Sequence, residues 1–201
     1  MDDFGVAVLS LAACVFGASA AAKLRSGKTY RLFRDGLLAT RLLPRRLLAP
    51  AAAVLAGAEA LVASGLSATA VLIAASVPGA ASLAEFALAV TALLSSLLTA
   101  GVAVVIRRGT QATCACFGPG RGRQLGRAHL VRNLSLLAVI CAGMAGIALA
   151  HGRPAVAGAV LGAIAGAVAA LLFIRWDDLA ELFAPSMGAA QTAGGAGRRH
   201  S

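Results

Sequence analysis

LLAPAAAVLAGAEALVASGLSATAVLIAASVPGAASLAEFALAVTALLSSLLTAGVAVVI, residues 47–106, is interrupted by charge only at Glu59 and Glu85. A helix needs about 20 apolar residues at ~1.5 Å each to cross the ~30 Å hydrocarbon layer of a bilayer. The stretch therefore holds two crossings, with Pro78-Gly79 as the turn between them. Alanine and leucine fill it without the period-two alternation of a membrane strand, and lipid satisfies no unpaired backbone group, so both crossings are helices. They are placed at 51–77 and 83–106. The first is long, and Ser64-Gly65 is where it would tilt or loosen.

Working outward, Phe4 to Ala22, Asn133 to Ala150 and Ala155 to Ile174 are uncharged runs of similar length. They predict further spans at 4–22, 132–150 and 155–174, which makes an all-α integral membrane bundle of five helices. Composition agrees. The 201 residues are 59% hydrophobic and 13% charged, with a mean hydropathy of +0.84; a soluble domain carries about a quarter charged residues. The same figures exclude a disordered chain, and four cysteines are too few for a disulfide-built secreted scaffold. Asp2 and Asp3 stand where a cleaved signal carries basic residues, so Ala18-Ser19-Ala20 is read as part of a retained span.

Lys23 to Arg46 holds eight basic residues and Arg107 to Arg132 six; Arg175, Arg198 and Arg199 follow the last span, and only Arg153 falls on the opposite side. Such a bias marks the cytoplasmic face. It places the N-terminus outside and the C-terminus inside, in the cell inner (plasma) membrane. The net charge of +10 is then a topology signal and a contact with lipid headgroups, and no nucleic acid is expected as a partner. Residues 28–48 mix apolar pairs with arginines and are read as lying along the cytoplasmic interface until Pro44 ends them. Residues 1–175 form the transmembrane domain, and 176–201 a disordered cytoplasmic tail by composition.

Thr113 to Gly120 reads TCACFGPG, in the loop between the third and fourth spans. Cysteines two apart point to opposite sides of a helix. In a turn, which Gly118, Pro119 and Gly120 supply, their Cα atoms can approach the ~5.5 Å that a disulfide prefers. A ring closed over one residue is strained and readily reduced. Arg107, Arg108, Arg121, Arg123 and Arg127 favour the thiolate. Cys114 and Cys116 are thus a candidate catalytic redox pair. Two plainer readings stand beside it: incidental small residues, and a metal site, for which only His129 is near while zinc takes four ligands. No metal and no cofactor is expected.

Within the spans, Cys14 and Cys141 stand at similar depth and form a candidate electron relay, against the reading of cysteine as small apolar filler. Glu59 falls near mid-membrane, where a carboxylate is costly and by default functional. It is either protonated or paired with Arg132 or Asn133 at the base of the fourth span, and these three are the candidate intramembrane functional residues. Glu85 lies close to the outer interface and carries no specific role. Gly158, Gly162 and Gly166 recur every four residues, a face for close helix packing.

A first span followed by a basic stretch, a small-residue second span with its glutamate, the motif Cys114, Cys116, Phe117 and Gly118, and the Leu130-Val131-Arg132-Asn133 opening of the next helix together resemble the methylamine-utilisation MauE-type proteins. These belong to the DoxX-like group, and the resemblance spans about residues 4–175. It implies a membrane protein of amine metabolism that helps process, transport or mature the disulfide-rich β subunit of methylamine dehydrogenase beside a thioredoxin-like partner. Cys114 and Cys116 would be the exchanging pair. One conflict stands: an exported client wants the dithiol outside, whereas the arginines put it at the cytoplasmic boundary. The expected function is thiol–disulfide exchange serving an amine dehydrogenase subunit or another disulfide-bearing client. A small transporter or channel built on Glu59, or a structural subunit without redox activity, are the alternatives.

Overall fold

The computed structural model describes residues 3–110, 126–149 and 156–176. Within them the elements are α1 (Asp3–Leu24), α2 (Gly27–Ala39), a short 3-10 turn (Arg45–Leu47), α3 (Leu48–Ala74), α4 (Ala80–Arg107), α5 (Arg127–Leu149) and α6 (Val156–Ile174). Helices α1, α3, α4, α5 and α6 are long and apolar enough to cross a bilayer. The all-α membrane bundle expected from the charge gaps is the fold found.

The helix ends differ from the sequence reading for simple reasons. Pro50 does not precede its span but sits in the first turn of α3, where a missing N–H removes no helical hydrogen bond. Helix α3 runs unbroken through Ser64-Gly65, the Ser64 hydroxyl donating to the Ala60 carbonyl at 2.8 Å. Helix α5 starts at Arg127 rather than residue 132, because the charges there belong to a helix whose buried face repeats through His129, Arg132, Leu136, Ile140, Gly143 and Ile147. Between α3 and α4 the chain turns at Gly79, whose φ of 82° lies in the left-handed region open to glycine. The arginine-rich stretch becomes α2, ending at Ala39, well before Pro44. Its start is a capping box in which Ser26 and Thr29 satisfy each other's backbone N–H.

Four helices close a ring: α1 lies on α3, α3 on α4, α4 on α5, and α5 back on α1. Helix α6 stands beside the ring, packed on α1. That contact is backbone to backbone. A Cβ added at Gly162 would overlap the Asp3 carbonyl, and one at Gly166 the Ala7 carbonyl, so only glycine lets the two helices approach. The Ser10 hydroxyl crosses the same seam to the Ala163 carbonyl at 2.8 Å, the kind of interhelical bond that lipid cannot replace. Val8, Leu9, Leu11, Ala12, Val15 and Phe16 are consequently buried on α1. Leu61, Phe86, Leu93, Leu149 and Leu161 are exposed on the outer faces, as helices bathed in hydrocarbon require.

Candidate functional site

The ring's up-and-down order brings the end of α1, the start of α3, the end of α4 and the start of α5 to one end of the bundle, the end that carries the arginines. Lys23 is the penultimate residue of α1. Side chains on a helix lean toward its N-terminus, and a lysine at a span end usually turns outward to water instead. Lys23 follows the helical lean. It is 2% exposed, and its Nζ donates to the Ser19 hydroxyl one turn earlier at 2.9 Å. The same ammonium forms an ion pair with Glu59 Oε2, equally buried at 2% exposure. Phe33 of α2 closes the outer side, its ring centroid 4.8 Å from Nζ, a cation–π contact. The α1–α2 corner that puts it there is tied by the Thr29 hydroxyl donating to the Lys23 carbonyl at 3.2 Å.

This corrects the sequence reading of Glu59. Its charged partner is Lys23, not Arg132 or Asn133. Helix α3 begins beyond the end of α1, so a residue three turns into α3 lies level with the last turn of α1.

The pair opens on a cavity of about 100 Å³ to which all six helices contribute. Its polar lining is Ser19 and Lys23 of α1, Glu59 of α3, Ser95 of α4, and Arg132 and Asn133 of α5; Phe16, Phe33 and Phe173 lead the apolar lining. The structure thus brings Glu59, Arg132 and Asn133 to one cavity, although not as the partners expected. Ser95 is the unusual member. On the same helix Thr91, Ser96 and Thr99 each donate to the carbonyl four residues back, at 2.6, 2.8 and 2.6 Å, the usual recourse of a hydroxyl in an apolar helix. Ser95 Oγ is buried and, among the described residues, has no hydrogen-bond partner.

Sequence reasoning missed Lys23, Ser95 and Phe33. Nothing in the sequence set Lys23 apart: it is one of eight basic residues between positions 23 and 46, and Arg46 stands closer to Glu59 along the chain. The four-residue spacing of Thr91, Ser95 and Thr99, by contrast, marks one polar face turned inward. Cys14 and Cys141 are both exposed, and the contact between their helices runs instead through Val8 and Gly143; no buried thiol pair is formed. Glu85 is exposed. Cys114 and Cys116 lie outside the described residues, as do Arg153 and the tail from residue 177 onward.

Five helices long and apolar enough to cross a bilayer, four of them closing a ring around a polar cavity, make this a multi-pass membrane protein. Residues 1–149 match the family described as methylamine utilisation protein MauE. The match takes in about three quarters of the 201 residues. The chain belongs to that family, the membrane proteins associated with methylamine utilisation. The match ends with α5, shorter than the resemblance read from the sequence, so the four-helix ring lies within it and α6 lies beyond it. No curated protein and no solved structure matches the chain.

Proposed function

We propose that the protein supports maturation of an amine dehydrogenase subunit, or of another disulfide-bearing client, by thiol–disulfide exchange at Cys114 and Cys116. The observation that carries this reading is the C-x-C-F-G motif itself, which falls inside the family match and amid arginines that favour a thiolate. One thiolate attacks the client disulfide, forming a mixed disulfide and releasing one client thiolate. The neighbouring cysteine, losing its proton, displaces the second client sulfur and closes the Cys114–Cys116 bond. Two electrons pass to the client, whose two sulfurs take up protons, while the pair is oxidised; the reverse sequence installs a client disulfide. A thioredoxin-like protein is the partner that would reset the pair.

The Lys/Arg bias supports an inner-membrane placement with the N-terminus outside and the C-terminus in the cytoplasm, residues 1–175 acting as the membrane unit and 176–201 as a tail. In membranes of a Cys14→Ser, Cys141→Ser variant, a polyethylene-glycol maleimide is expected to label both remaining cysteines after reduction and neither after oxidation. Equal labelling in the two states overturns the reading. The buried Lys23–Glu59 pair facing a cavity favours a second reading, a small transporter. It requires that Glu59→Gln abolish solute uptake while Cys114→Ser leaves it intact.

A further inference from the structure

We propose that the cavity at the basic end binds a small neutral amphiphile, a hydroxyl head on a short apolar body. The site goes beyond the exchange reaction and uses neither loop cysteine. Three groups on its wall call for a head that donates once and accepts twice. Ser95, 5% exposed, lines the cavity, and its hydroxyl has no hydrogen-bond partner among the described residues, although its neighbours on α4 satisfy theirs within the helix. The Lys23 ammonium has three hydrogens; Ser19 and Glu59 take two, leaving one for a further acceptor. The Glu59 carboxylate receives Lys23 on Oε2; its other oxygen accepts no hydrogen bond among the described residues and remains for a donor. A hydroxyl answers all three, its O–H donating to Glu59 and its two lone pairs accepting from Lys23 and Ser95. Lys23 and Glu59 already neutralise each other, and Arg132, also on the lining, is engaged as well. A charged head would have to leave water and take one member of the pair from the other, whereas a neutral head bonds to both and leaves the pair whole.

The rest of the wall sets the body. Phe16, Phe33 and Phe173, with aliphatic side chains between them, make most of the lining apolar. A volume of about 100 Å³ is smaller than the ~150 Å³ cavity that takes a benzene ring, which limits the occupant to a chain of a few carbons. Polar walls in a cavity of this size bind water, and a ligand that displaces water has to return its hydrogen bonds. A hydroxyl does so and a plain hydrocarbon does not. Pentanol has this form.

The molecule carries its own reporter. Trp176 is the sole tryptophan, and its ring stacks on Phe173, with centroids 6.2 Å apart and planes inclined 27°, while Phe173 lines the cavity. The full chain in proteoliposomes is titrated with pentanol, with its isomer methyl butyl ether, which accepts but cannot donate, and with pentylammonium and pentanoate. Partition of each probe into protein-free liposomes is subtracted. Pentanol should give a saturable change in tryptophan emission, with an affinity at least about tenfold above that of the ether, the worth of one hydrogen bond to a charged group. Neither charged probe should give a saturable response. Ser95→Ala should weaken pentanol about three- to tenfold with unchanged circular dichroism. It should leave thermal stability unchanged or raised, because the lost hydroxyl has no partner among the described residues. Equal affinity for the ether, saturable binding of either charged probe, no saturable response to pentanol, or an unaltered titration or lost stability in Ser95→Ala would each overturn the site. The Cys114→Ser, Cys116→Ser variant should bind pentanol as before even where exchange is lost, which separates this proposal from the redox one.

Discussion

At Lys23 and Glu59 an ammonium and a carboxylate share an interior from which water is largely excluded. Breaking such a pair by removing one member typically costs about 3–5 kcal/mol, because the survivor is left charged and buried. Replacing both with apolar groups of similar volume can be nearly neutral. Lys23→Met and Glu59→Leu alone should therefore each destabilise the protein by roughly that amount, while the double variant loses much less than the sum. Denaturation in mixed detergent micelles measures all three, and additive losses would show that the two groups do not depend on each other. Glu85→Gln, at an exposed position, should stay within about 0.5 kcal/mol in the same assay. Glu59 was legible in the sequence as an expensive residue. Its partner was not, because Lys23 opens a run of basic residues that all read alike until the last turn of α1 is seen to lie against α3.

At the scale of elements, glycines of identical appearance have unlike roles. A Cβ at Gly166 would meet the backbone of α1, whereas one at Gly57 or Gly65 meets nothing within 4 Å. Gly166→Leu should pry α6 from α1 and cost about 1–3 kcal/mol or more, the range for overpacking; Gly57→Ala should be neutral or slightly stabilising, since alanine is the better helix former. A cysteine cross-link engineered between α1 and α6 would report the separation. The four-residue glycine spacing was readable in the sequence as a packing face, but not which helix it packs on. The capping box at Ser26 offers a second check. Ser26→Ala should cost about 1 kcal/mol and loosen α2 over Lys23, detectable as faster amide exchange through Gly27–Ala39.

For the whole molecule, the described arginines gather at the end that holds the cavity, where α4 ends and α5 begins; Cys114 and Cys116 fall between those two helices in the sequence. If the bias sets orientation as it does in other membrane proteins, a membrane-impermeant maleimide should reach Cys116 from the cytoplasmic face alone. In intact cells it would leave the residue unlabelled, and in inverted vesicles label it. Labelling in intact cells would reverse the topology and remove the conflict with an exported client.

The spans, their number and the gathering of charge at one end were decided by the sequence alone, because each depends on how many consecutive residues avoid charge relative to the thickness of a bilayer, a property summed along the chain. The pairing of Lys23 with Glu59, 36 residues apart, the choice of α1 as the partner of the glycine face, and the cavity shared by six helices were decided only by the tertiary structure. These depend on how far each helix is shifted along its neighbour and turned about its own axis. Hydrophobicity sets neither quantity, since every lipid-compatible face looks the same to the bilayer; side-chain and backbone packing sets both.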